Sequence, residues 1–119
     1  MKELDSISPL ELLSRFSGGM RIPNSEVKMV ERLLHEYGLP NDVINVLLVY
    51  VMCIHHYRLP RPIVEKVAGY WKRHCIVTVE QAYEQVRRDL RWDLNPEEKI
   101  GKFILMLEAI SKFDPRTKK

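Results

Sequence analysis

The chain has 119 residues, a formal charge of +3, 45% hydrophobic and 29% charged residues. That is room for one modest core, and too much apolar content for a disordered chain. Two cysteines cannot build a disulfide framework, and with no secretory signal at the N-terminus a reducing cytoplasm is the expected setting. The apolar run Val43–Ile54 covers about twelve residues and is interrupted by Asn45, against the roughly 18 or more that a membrane span needs.

Helix punctuation organises the chain from its start. Ser8-Pro9-Leu10-Glu11 supplies an N-cap, a proline at the first helical position and a glutamate three residues after the cap. This short first helix is expected to stop near Phe16, with Gly18-Gly19 as its left-handed exit. Pro23 followed by Asn24 or Ser25 opens a second helix, with Val27, Val30, Leu33, Leu34 and Tyr37 on one face and Gly38 as its end. Pro40-Asn41-Asp42 opens a third, apolar on nearly every side to about His55. Its valines and isoleucines would also suit a strand, but the cap residues and the length favour a helix. Asn45 inside it is expected to hydrogen-bond a neighbouring loop or helix end, because an unpaired buried amide costs about 1–3 kcal/mol.

Leu59-Pro60-Arg61-Pro62 reads as a turn, since each proline pushes its predecessor out of the α region. A fourth helix is expected from Ile63 to Arg73. A capping box, Thr78-Val79-Glu80-Gln81, opens a fifth running to about Trp92. Asn95-Pro96-Glu97-Glu98 caps a sixth, with Ile100, Phe103, Ile104, Leu107 and Ile110 as its buried stripe. Asp114-Pro115 ends it, and Arg116–Lys119 is a basic tail. The expected fold is all-α, a compact bundle of five to six short helices around the apolar third helix. A single domain over 1–113 and a tail over 114–119 follow.

Charge is unevenly placed. Residues 57–91 carry eight basic and four acidic side chains, against five and seven in residues 1–56. A clustered basic middle on a nearly neutral chain points to a local anionic partner. Within it, Ile63, Val67 and Trp71 sit four apart on the fourth helix, and such a row more often packs inward than it contacts a ligand. Lys66, Tyr70, Lys72 and Arg73 are then the contact candidates. Cations tracking phosphates beside a ring that stacks a base is how single strands are held, at roughly 1–3 kcal/mol per stacked base. Arg87, Arg88 and Arg91 close the fifth helix. There they also complement the negative end of the helix dipole, so a solvated helix end explains them equally well. A continuous phosphate track would require the fourth and fifth helices to pack side by side.

Other patterns carry less. Cys53 and His56 have ligand-like spacing, with His74-Cys75 as the remaining pair. Adjacent residues rarely both reach one tetrahedral ion, however, and no Cys-x-x-Cys is present. Ser17-Gly18-Gly19 lacks the preceding strand and the Gly-Lys-Ser/Thr ending of a phosphate loop. No serine–histidine–acid or paired-carboxylate arrangement has supporting context, so neither an enzyme, a metal nor a cofactor is expected.

The stretch Gly38–Arg88, GLPNDVINVLLVYVMCIHHYRLPRPIVEKVAGYWKRHCIVTVEQAYEQVRR, preceded by SPLELLSRFSGG at Ser8–Gly19, resembles the DnaD/DnaB-type replication initiation proteins of Gram-positive bacteria. The likeness is best to the C-terminal DnaD-like domain of the helicase loaders and spans about residues 6–88, leaving the sixth helix over about 96–113 outside it. The family carries a YxxxIxxxW motif linked to single-stranded DNA binding and to structure. Here it reads Ile63, Val67 and Trp71, so its tyrosine ring is absent. The resemblance implies a DNA-replication initiation role: binding DNA, single strands in particular, and assisting primosome assembly and helicase loading. Implied partners are DNA, the replicative helicase or other primosome proteins, and further copies of the chain. The alternative is a protein–protein adaptor or oligomerisation module of the replisome with little DNA affinity. An exposed apolar patch on the sixth helix would favour it.

Overall fold

The computed structural model describes residues 8–19, 21–91 and 95–112, and these form six α-helices with no strand among the described residues. They are α1 Pro9–Phe16, α2 Asn24–His35, α3 Asn41–Ile54, α4 Arg61–Arg73, α5 Val79–Leu90 and α6 Pro96–Lys112.

The caps read from the sequence are present as chemistry. Ser8 Oγ accepts from the Glu11 N–H at 3.1 Å, and Pro9 takes the first helical position. Glu11 does not return the bond to Ser8 but pairs with Arg15 at 2.7 Å. The box that opens α5 is complete: Thr78 Oγ1 accepts from the Gln81 N–H at 3.1 Å, and Gln81 Oε1 accepts from the Thr78 N–H at 3.0 Å. α3 is opened differently from its expected side-chain cap. Pro40 stands at the cap position, and Asp42 accepts from the Val43 N–H at 2.8 Å.

Three helices end in the same hydrogen-bonded exit, a backbone N–H reaching back five residues across a left-handed one: Gly19 to Ser14, Tyr57 to Met52 and Ile76 to Trp71. This exit needs a left-handed residue. Gly18 supplies it after α1 at φ 72°. His56 and Cys75 supply it after α3 and α4 at 55° and 56°, where a side chain makes that backbone costlier. No glycine marks either of those two turns.

α3 is the core. Every residue from Val43 to Cys53 is buried, Asn45 included, and α1, α2, α4, α5 and α6 all pack on it. Each fully buried valine or leucine contributes roughly 1.5–3 kcal/mol, so this one segment organises the remaining five helices. Polar contacts fix the register. Tyr50 Oη donates to Asp89 on α5 at 3.3 Å, and Cys53 Sγ reaches the Lys99 carbonyl on α6 at 3.6 Å.

α6 differs from its expected stripe. Phe103 and Leu107 are buried and Ile100 half-buried as read, but Ile104 is 40% exposed and Met106 is buried in its stead. The Ile110 side chain, Trp92 and the tail lie outside the described residues.

Candidate nucleic-acid interface

α4 has two faces of opposite character. Val64, Ala68 and Trp71 are fully buried against the core, and Ile63 and Val67 are half-buried beside them. The row Ile63, Val67 and Trp71 therefore lies on the packing side. Trp71 is 0% exposed, and its indole N–H has no acceptor among the described residues. This ring cannot stack a base without unfolding the helix.

The opposite face presents Lys66, Tyr70 and Arg73 to solvent, spaced four and then three residues apart, which puts them on one side of a helix. Tyr70 stacks on His74 with ring centroids 4.1 Å apart and planes at 31°. Two rings flanked by two cations form a short surface ladder. His74 was not among the expected residues. Its position four after Tyr70 was the available signal, but it falls just past the end of the helix.

Lys72 faces elsewhere. Its Nζ donates to the Glu36 carbonyl at the end of α2 at 3.1 Å, satisfying one of the carbonyls a helix C-terminus leaves open. This contact joins α4 to α2.

Glu65, the one carboxylate in α4, is occupied. Its Oε2 accepts from Arg61 Nε at 2.9 Å and Arg32 Nε at 3.0 Å, and its Oε1 accepts from Arg32 at 3.2 Å. Arg32 also reaches Glu36 at 3.2 Å. The hydrogen bond from Arg61, and then that from Arg32, hold the Glu65 carboxyl below the usual carboxylate range. The Glu65 pair in turn raises Arg32. The network anchors the start of α4 to α2 and turns the negative charge of α4 away from its basic face.

α4 and α5 each pack on α3, but they are not among the helix pairs in substantial mutual contact. The side-by-side packing that a continuous phosphate track requires is therefore absent. Lys72 and Arg73 precede α5, whereas Arg87, Arg88 and Arg91 sit at its far end, roughly 15–20 Å along a helix axis. All three arginines are exposed. Arg87 borders a cavity of about 420 Å³ between α5 and α6, whose lining includes Tyr83, Phe103 and Leu107 and whose other charged members are Glu80, Glu84 and Glu108. Arg88 borders a second depression, again beside Glu80 and Glu84. Arg91 caps the helix. Along α5, Glu80 and Glu84 precede the arginines, the order that suits a helix dipole, while Asp89 near the end accepts from Tyr50 and Gln85.

No group of three or more histidine, cysteine or acidic side chains among the described residues is placed to hold a metal ion. Cys53 is buried and Cys75 is exposed. No helix among the described residues is long and apolar enough to cross a membrane.

Residues 18–86 match the protein family described as replication initiation and membrane attachment. The chain is 31% identical over 85 residues to the replicative helicase loading and DNA remodeling protein DnaB of Staphylococcus aureus, an overlap of 71% of this chain and 18% of that protein. The chain thus spans about a fifth of the length of this relative. No solved structure matches.

Proposed function

Because the chain belongs to the replication initiation and membrane attachment family, we propose that it serves replication initiation by binding DNA, single strands in preference to duplex. In this role it assists assembly of the primosome that loads the replicative helicase. The observation that carries this reading is the outer face of α4. Lys66 and Arg73 flank the Tyr70–His74 stack, the carboxylate of the same helix is turned away into α2, and Trp71 backs the helix from within. Cations with an exposed ring bind single strands through phosphates and stacking. Arg87, Arg88 and Arg91 act as outlying phosphate contacts, the first two beside Glu80 and Glu84, and Lys72 contributes less because its Nζ is engaged at the end of α2.

One observation favours the adaptor reading. Ile104 and Leu105 on α6 are 40% and 66% exposed, and Ile104 borders the cavity beside α5. A partner protein would find an apolar surface there.

Fluorescence anisotropy of labelled single-stranded and duplex oligonucleotides at several salt concentrations separates the two. Tighter single-strand binding is expected, weakening with a log–log salt slope of roughly −0.7 per phosphate neutralised. No binding near roughly 50 mM salt, where phosphate contacts are little screened, would overturn the DNA reading and leave the adaptor.

A further inference from the structure

Among the described residues, Tyr57 is the most exposed large hydrophobic residue outside α6, at 56%, in the turn between α3 and α4. Its backbone explains how it is held. His56 and Tyr57 are both left-handed, φ 55° and 67°, and the Tyr57 N–H is fixed to the Met52 carbonyl at 2.7 Å. In this type of helix exit the residue at the Tyr57 position usually folds an apolar side chain back onto the helix it leaves. Here the ring stands out instead, on two consecutive non-glycine residues in a conformation that side chains disfavour.

Its neighbours are cationic. Lys102 Nζ on α6 lies 5.5 Å from the ring centroid, and Phe16 on α1 braces the ring at 6.0 Å with planes at 54°. Arg58 follows directly and is exposed. Neither Arg58 nor Lys102 makes an ion pair among the described residues. The carboxylate nearest to Arg58 in sequence, Glu65, is held by Arg61 and Arg32. A ring braced by Phe16, with Lys102 at its face and the exposed Arg58 next in the chain, has the composition of a stacking platform.

We infer that the α3–α4 turn is a second single-strand contact, in which Tyr57 stacks a base while Arg58 and Lys102 hold the neighbouring phosphates. This contact presupposes the single-strand reading above and adds to it a site made partly by helices outside the matched segment, since Phe16 and Lys102 lie on α1 and α6. It also places an exposed ring six residues before Ile63, where the motif of the family would have its tyrosine.

The test is single-strand anisotropy on the whole chain, comparing wild type with Tyr57→Ala, Tyr57→Phe, Lys102→Gln and the double variant Lys66→Ala/Arg73→Ala. Tyr57→Ala is expected to weaken binding about tenfold, within the range a stacked base supplies. Tyr57→Phe should stay within about twofold, because the ring is what stacks. Lys102→Gln should flatten the salt slope by about 0.7. Should Tyr57→Ala fail to fold by circular dichroism, Lys102→Gln decides, since that residue lies outside the turn. Unchanged affinity and slope in the Tyr57 and Lys102 variants, with loss in the Lys66/Arg73 variant, would overturn this contact alone. A wild-type chain that binds no single strand would overturn both. Loss at Tyr57 without loss at Lys66/Arg73 would support the turn and overturn the α4 face.

Discussion

α4 and α5 both pack on α3, and both carry exposed cations, yet their surroundings differ. On α4, Lys66 and Arg73 share a face with two stacked rings, and the helix's carboxylate is bound to α2. On α5, the arginines follow Glu80 and Glu84, and Arg87 borders a cavity with those acids and Glu108. Counting only the candidate contact cations, Lys66, Lys72 and Arg73 against Arg87, Arg88 and Arg91, would rate the two helices equally. What separates them is the disposal of the nearby acid, because a phosphate responds to the summed local potential rather than to any one cation.

The largest effect should come from the inner face of α4. Trp71→Ala is expected to cost about 3–5 kcal/mol in chemical denaturation, as removal of a fully buried large aromatic does. Binding at saturating stability, for example in stabilising osmolyte, should then be largely retained. If Trp71→Ala instead left stability intact and abolished binding, the division of α4 into a packing face and a contact face would be wrong.

The comparison itself is broken or kept by a pair of double variants. Lys66→Ala/Arg73→Ala should weaken single-strand binding by roughly tenfold and flatten the salt slope by about 1.4, two phosphates' worth. Arg88→Ala/Arg91→Ala should lose markedly less under the same conditions. Equal losses from the two pairs would mean that the acid beside α5 does not matter, and the contrast between the helices would fall.

Glu65 sharpens the α4 side. Its carboxyl is held below its ordinary value of 4.5 by Arg61 and Arg32. A carboxyl with a depressed folded-state pKa contributes stability that is fully present above the unfolded value and lost as pH falls through the folded one. Glu65→Gln should therefore destabilise by about 1 kcal/mol at neutral pH, a modest figure because the arginines are partly exposed. The gap to wild type in urea midpoints should be constant above about pH 5 and shrink below pH 4.5. A gap that widened toward low pH would contradict the network.

The elements were legible in the sequence because their ends carry explicit chemistry. Thr78 and Gln81 form the expected box, and Ser8 caps α1 as read. α3 was legible as the core because a helix apolar on all sides has nowhere else to go. The stripe of α6 was harder. Ile104, Leu105, Met106 and Leu107 run consecutively, so periodicity cannot say which of them face inward, and it is Met106 rather than Ile104 that does. The site divides in the same way. The exposure of Lys66, Tyr70 and Arg73 follows from helical spacing, whereas the bond from Lys72 to the Glu36 carbonyl is a tertiary contact that no local pattern announces. The separation of α4 from α5 was illegible for a sharper reason. It depends on a left-handed turn at Cys75, and nothing but glycine or asparagine ordinarily advertises such a turn.

That turn supplies the smallest prediction and the most direct one about the comparison. Cys75 sits at φ 56°, with the Ile76 N–H bonded to the Trp71 carbonyl at 3.0 Å, and it fixes how α5 leaves α4. Cys75→Gly keeps the geometry and relieves the side-chain penalty, about 1–2 kcal/mol, at the cost of about 0.5–1 kcal/mol of extra chain entropy in the unfolded state. Stability should rise by about 0.5 kcal/mol, with single-strand affinity unchanged. Cys75→Val should do the reverse, because a β-branched side chain is a poor fit to a left-handed backbone. If Cys75→Gly destabilised the chain, the turn would not be left-handed, and the separation of the two basic helices that depends on it would have to be redrawn.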